Sequence, residues 1–93
     1  MNGKIVVFSG HAVQRMFARK ITKEEVKIAI ERGNKIEDYA DDTPFPSCLI
    51  MDFINNRPLH VVCSTDESTQ TIYIITVYIP DPERWDNNFS RRI

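Results

Sequence analysis

The sequence predicts an α+β domain: a short strand, an αα-hairpin and then a four-stranded antiparallel meander, in the order β-α-α-β-β-β-β. Three observations carry this prediction. Apolar residues recur at helical spacing between Ser9 and Gly33, and from Lys35 onward they recur at strand spacing. Turn-forming runs, "ADDTPFP", "NN" and "DESTQ", divide the second half into four pieces.

The opening "KIVVFS" (Lys4 to Ser9) is β-branched and aromatic and has the length of one short strand. Ser9 is then placed as the N-cap of a helix running to about Lys20, whose buried face is Ala12, Val13, Met16 and Phe17. In "ITKEEVKIAIERGN", Thr22 and Glu25 stand at capping-box spacing and Gly33 is placed to end the second helix. Val26, Ala29 and Ile30 form its inner stripe, with Lys23, Lys27 and Glu31 toward solvent.

Four strands follow: "KIEDY" (35–39), "SCLIMDFI" (47–54), "RPLHVVCST" (57–65) and "TIYIITVYI" (71–79). Asn55 and Asn56 suit a two-residue type I′ turn, because asparagine tolerates the positive φ that both positions require. That turn sets a register in which Cys48 opposes Cys63 and His60 opposes Met51. A disulfide is possible in distance, but without a C-x-x-C spacing two reduced, buried thiols are expected. In the last strand the strict alternation puts Ile72, Ile74, Thr76 and Tyr78 on one face and Tyr73, Ile75, Val77 and Ile79 on the other, as in a strand covered on both sides.

Composition bounds the function. At 93 residues, 42% hydrophobic and 27% charged, residues 1–93 read as one globular domain without repeats or low-complexity tracts. No run approaches the roughly 20 apolar residues of a membrane span, and "MNGKIVVFSGH" lacks a signal-peptide pattern, so a cytoplasmic protein with no membrane partner is expected. The net charge of −1 hides an asymmetry: residues 1–35 carry eight Lys/Arg against three Asp/Glu, and residues 36–93 carry four against ten. In the tail "DPERWDNNFSRRI", Trp85 is expected to seal the core and residues 87–93 to fray.

The first helix raises the functional question, because His11, Arg15 and Arg19 succeed one another four residues apart along the edge of its apolar face. A histidine in a first turn feels the positive end of the helix dipole and is kept neutral, available as a proton acceptor, while an arginine one turn on can anchor a phosphate. The same spacing also fits a histidine packed at the helix entry and arginines paired with the acidic half of the chain. Likewise His60 reads either as a site residue or as a histidine filling sheet surface.

"FSGHAVQRMFARKITKEEV", "IEDYADDTPFPS", "RPLHVVCS" and "IITVYIPDPERW" resemble, in order and spacing, the small bacterial and phage proteins of domain-of-unknown-function family 4258, over roughly Phe8 to Trp85. That family is similar to the BrnT, RelE and MqsR toxins of type II toxin-antitoxin systems, which pack two helices on an antiparallel sheet. The resemblance implies a metal-independent endoribonuclease acting on messenger RNA, alone or on the ribosome, with an antitoxin protein as partner and no cofactor. Carried onto matching positions, it implies catalytic roles for His11, Arg15, His60, Thr76 and Tyr78. Cleavage of RNA without metal needs a base for the 2′-hydroxyl, a cation for the phosphorane and an acid for the 5′-oxygen. His60 and His11 would supply base and acid, Arg15 the phosphate clamp and Tyr78 an orienting or proton-donating hydroxyl. Arg19 and Arg57 would hold the RNA backbone.

Two other classes are weighed against it. His11, Cys48, His60 and Cys63 show none of the paired spacings of structural zinc sites, so no metal is expected. A non-catalytic protein- or ligand-binding module on the same fold is the alternative. Pro44, Phe45 and Pro46 could dock a partner, and Asp38, Asp41 and Asp42 could meet a basic protein.

Overall fold

A computed structural model describes residues 4–93; the first three residues of the predicted 1–93 domain lie outside the described residues. The elements are β1 (Ile5–Phe8), α1 (Gly10–Arg19), α2 (Lys23–Arg32), β2 (Asn34–Tyr39), β3 (Ser47–Ile54), β4 (Arg57–Asp66) and β5 (Thr71–Tyr78). They build one five-stranded sheet in the order β1-β5-β4-β3-β2. Strands β2 to β5 form the predicted antiparallel meander, and β1 extends it as a parallel edge strand beside β5.

The predicted caps form. Ser9 Oγ accepts the Ala12 N–H at 3.0 Å and donates to the Ile75 carbonyl at 2.9 Å, so one hydroxyl starts α1 and ties it to the last strand. Both halves of the Thr22/Glu25 capping box are made, at 2.8 and 3.0 Å. Gly33 ends α2 for a different reason from the left-handed turn usual at that position, since its φ is −69°. A Cβ there would stand 2.4 Å from the Ala29 carbonyl oxygen and 2.6 Å from Ile50 Cγ2, so glycine is required by close approach to β3.

The αα-hairpin expectation is corrected in its packing: α1 rests on β5 and α2 on β3 and β4, each helix burying its stripe on the sheet. This common helix-side core holds Ala12, Met16, Val26, Ala29, Ile50, Leu59, Val61, Ile72, Ile74 and Val77. Each fully buried branched side chain among them contributes about 1.5–3 kcal/mol relative to exposure. Phe17, assigned to the buried face, is instead 82% exposed.

Register along β3 and β4 is the one the Asn55-Asn56 turn predicts, with Cys48 opposite Cys63 and Met51 opposite His60. Both asparagines have positive φ, 54° and 63°. The alternation read along β5, however, is broken by a bulge: Cys63 pairs with Ile74, but Val62 pairs with Thr76, leaving Ile75 as an extra residue. Beyond it every side chain changes face. Val77 therefore joins Ile72 and Ile74 under the helices, and Tyr78 turns to the opposite side with His60.

That second side of the sheet is only partly covered. Leu49, Met51 and His60 are buried on it, His60 beneath Trp85 and the C-terminal segment, whereas Tyr73 and Ile75 remain 36% and 41% exposed. β5 is thus not covered along its whole length, as its apolar sequence suggested. Nor is the tail loose: Trp85 bridges Arg92, Asp86 N–H donates to the Arg91 carbonyl, and Asp86 Oδ1 accepts the N–H groups of Asn88 and Ser90. Residues 87–93, expected to fray, fold back over the sheet and carry Phe89 against Phe53 and Arg92 against Trp85.

Candidate functional site

The sheet separates the residues singled out in the sequence. His11, Arg15 and Arg19 lie exposed on α1, on the helix side, and His60 and Tyr78 lie on the other side. Thr76 is half-buried two residues before Tyr78 on that second side. Arg57 sits at the C-terminal end of α1, on the helix side. Its guanidinium donates to the carbonyls of Arg19 at 2.8 Å and Lys20 at 3.2 Å and stands 3.6 Å from Glu25. It therefore closes the C-terminus of α1, whose last carbonyls lack helical partners, and is engaged in holding the helix junction rather than free toward solvent.

What the structure brings together is His60 and Tyr78, directly paired across β4 and β5. His60 is fully buried, with Nε2 2.8 Å from the Phe89 carbonyl and Nδ1 3.2 Å from Tyr78 Oη. A carbonyl only accepts, so Nε2 carries the proton, and the neutral ring then accepts the Tyr78 O–H at Nδ1. Trp85 closes over the imidazole edge-on, ring centres 4.5 Å apart. Burial lowers the imidazole pKa below its ordinary value, and the nearby Arg92 charge acts in the same direction. The pair is thus a buried neutral base holding a phenol by its proton.

Tyr78 lies at the boundary of this buried layer and lines a cleft of about 260 Å³ with Ile79, Asp81, Arg84, Trp85 and Arg92. Burial raises its pKa, so the hydroxyl stays protonated in the resting protein. Arg84 is largely exposed, 4.0 Å from Asp81. Arg92 lies 4.7 Å over the Trp85 ring and is held by Glu37 through Nε at 3.2 Å and Nη2 at 3.4 Å. Glu37 also accepts the Tyr39 hydroxyl, and that bond, followed by Arg92, keeps its carboxylate ionised below the usual range. A phenol on a buried base, beside two arginines, can bind an oxyanion and take up a proton near it.

Sequence reasoning placed Trp85 as a seal on the core, but it missed Arg84 and Arg92, which it left in a tail, and Glu37 and Tyr39, which it read only as strand. One signal was present. A tryptophan within a turn-rich tail must cover its large apolar surface, which requires the segment around it to fold back. Among the described residues no group of three or more His, Cys, Asp or Glu is placed to hold a metal ion, and no helix is long and apolar enough to cross a membrane.

A family model described as "Domain of unknown function (DUF4258)" matches residues 8–79. No curated protein and no solved structure matches the chain.

Proposed function

The chain belongs to the DUF4258 family, a domain of unknown function, and from that premise we propose that it is an RNA-cleaving toxin, a metal-independent endoribonuclease, with Tyr78 at its centre. One observation carries the reading: the Tyr78 hydroxyl is held by a buried neutral histidine, and Tyr78 lines a cleft together with Arg84 and Arg92. The order of two helices followed by an antiparallel meander is compatible with the BrnT- and RelE-like arrangement that the sequence motifs imply.

The chemistry follows from the tautomer. Tyr78 Oη receives the proton of an RNA 2′-hydroxyl while passing its own to His60 Nδ1. The resulting imidazolium, disfavoured by burial and by the Arg92 charge, keeps its Nε2–H bond to Phe89, which together with the Glu37 charge offsets part of that cost. The 2′-oxygen attacks the phosphorus, Arg84 and the remaining N–H groups of Arg92 offset the charge of the phosphorane, and the 5′-oxygen leaves with a proton from solvent. The products are a 2′,3′-cyclic phosphate and a 5′-hydroxyl end, and His60 returns its proton through Tyr78. His11 and Arg15, on the far side of the sheet, leave the catalytic set in this reading, and Arg15 and Arg19 offer only a basic stripe for the RNA backbone. The setting is the cytoplasm, with messenger RNA as substrate and an antitoxin protein as partner.

A second reading, a non-catalytic binding module, is favoured by the open half of the second side. There Phe45 stacks on Tyr73, ring centres 6.1 Å apart, beside Pro44 and Ile75.

Induced expression in bacteria, with transcript ends mapped in the same cultures, separates the two. Growth arrest with new 5′-hydroxyl ends, abolished by Tyr78→Phe or Arg84→Ala but kept by Arg15→Ala, supports the ribonuclease. Unchanged growth and intact transcripts at confirmed soluble expression leave the binding module.

A further inference from the structure

Cys48 and Cys63 are directly opposed residues of β3 and β4, both free, with their Sγ atoms 3.9 Å apart. They lie on the helix side of the sheet, Cys63 within the core and Cys48 packed against it. Their exposures differ: Cys63 is 4% exposed, while Cys48 is half-buried. A small solvent-borne reagent therefore reaches Cys48 first. Opposed residues in a hydrogen-bonded antiparallel pair have Cα atoms about 5.5 Å apart, inside the range a disulfide spans, and the sulfurs already approach to 3.9 Å.

We propose that Cys48 and Cys63 form a hydroperoxide-reactive dithiol, in which Cys48 is oxidised first and Cys63 then closes a cross-strand disulfide between β3 and β4. Nothing in this depends on the Tyr78 cleft. In the first step the Cys48 thiolate attacks the peroxide, forming an S–O bond and breaking the O–O bond, and the departing oxygen leaves protonated as water or an alcohol. Cys48 becomes a sulfenic acid. In the second step Cys63 Sγ attacks that sulfur, the S–S bond forms, the S–O bond breaks, and the Cys63 proton leaves with the hydroxide as water. Two electrons pass from the two thiols to the peroxide.

The local charges suit this order. A hydrogen bond from Cys63 draws the Cys48 thiol below its ordinary pKa, and Lys35 on β2 acts in the same direction, while burial and Asp38 oppose it. The same contact, followed by burial, pushes Cys63 up. Once Cys48 is a sulfenic acid that first cause is gone and only burial still holds Cys63 up, so the thiol next to the new electrophile is Cys63, the resolving thiol.

The test uses the purified chain and hydrogen peroxide. We expect the wild type to lose both thiols together and to drop in intact mass by two hydrogens as a monomer. Linked Cys48 and Cys63 peptides should appear, and dithiothreitol should restore both thiols. Cys63→Ala should stop at a Cys48 sulfenic acid that dimedone traps, and Cys48→Ala should leave Cys63 unmodified at the same dose. The wild-type peptide map decides the matter even where the Cys63→Ala core fails to fold. Oxygen accumulating on Cys48 without a disulfide, covalent dimers in place of the internal bond, or thiols that persist at doses that oxidise free cysteine would each overturn the proposal.

Discussion

His60 and Tyr78 face each other across neighbouring strands, and the phenol donates its proton to the imidazole Nδ1 at 3.2 Å while the other ring nitrogen is committed to the Phe89 carbonyl. The hydrogen-bonding capacity of that buried ring is thereby used in full, which fixes its tautomer and holds the Tyr78 hydroxyl in one orientation.

Tyr78→Phe removes only the hydroxyl. We expect RNA cleavage to fall by about 10²-fold or more, the scale of a lost proton-transfer group. Folding stability should fall by about 1 kcal/mol, because His60 Nδ1 loses its donor. Urea unfolding beside a cleavage assay on the same preparation measures both; a large loss of stability with unchanged cleavage would assign the pair to the core alone.

The buried histidine makes stability depend on pH in a defined window. Its folded pKa is lowered below 6.5, so above that value both states are neutral and nothing is lost. As pH falls through 6.5 the unfolded chain binds a proton that the folded chain refuses, and stability declines until the lowered folded pKa is reached. Thermal melts at about pH 7.5 and about pH 5.5 should show a drop that shrinks in His60→Gln. Glu25 and Glu37, both lowered from 4.5, contribute their own loss only as pH falls through that value, which both melts avoid.

Arg57→Ala should cost about 1–3 kcal/mol in urea unfolding, since it strips two carbonyl partners from the end of α1 and a cation from Glu25. The α1 arginine stripe is untouched. RNA affinity of the folded variant should therefore stay at the wild-type level; a large loss of affinity without loss of stability would return Arg57 to RNA binding.

Gly33→Ala should destabilise by about 1–3 kcal/mol, because the added methyl meets the Ala29 carbonyl and Ile50 where α2 turns into β2. A melting temperature equal to that of the wild type would show that this junction can relax.

The elements themselves were legible, since each is written in a local code. Ser9 and the Thr22/Glu25 box mark helix starts, and the Asn55-Asn56 turn sets the β3/β4 register down to the Cys48–Cys63 pair. The site was legible only in part. His60 and Tyr78 were both singled out, yet strict alternation along "IYIITVY" assigned Tyr78 the same face as Ile72 and Ile74, because apolar residues on both sides of the strand hide a one-residue bulge. Glu37 and Arg92 are 55 positions apart, and no spacing rule links a mid-chain strand to a tail.

By itself the sequence determined the order and type of the elements, because hydrophobic period, caps and tight turns act over a few residues and need no partner from elsewhere in the chain. Only the tertiary structure decided which polar residues meet. The bulge at Ile75 turned Tyr78 toward His60, and the sheet divided both from His11 and Arg15 on α1. The tail then folded back to cover His60, bringing Arg92 to Glu37. Such contacts are set by burying Trp85 and satisfying a buried imidazole, demands that exist only once the sheet has formed.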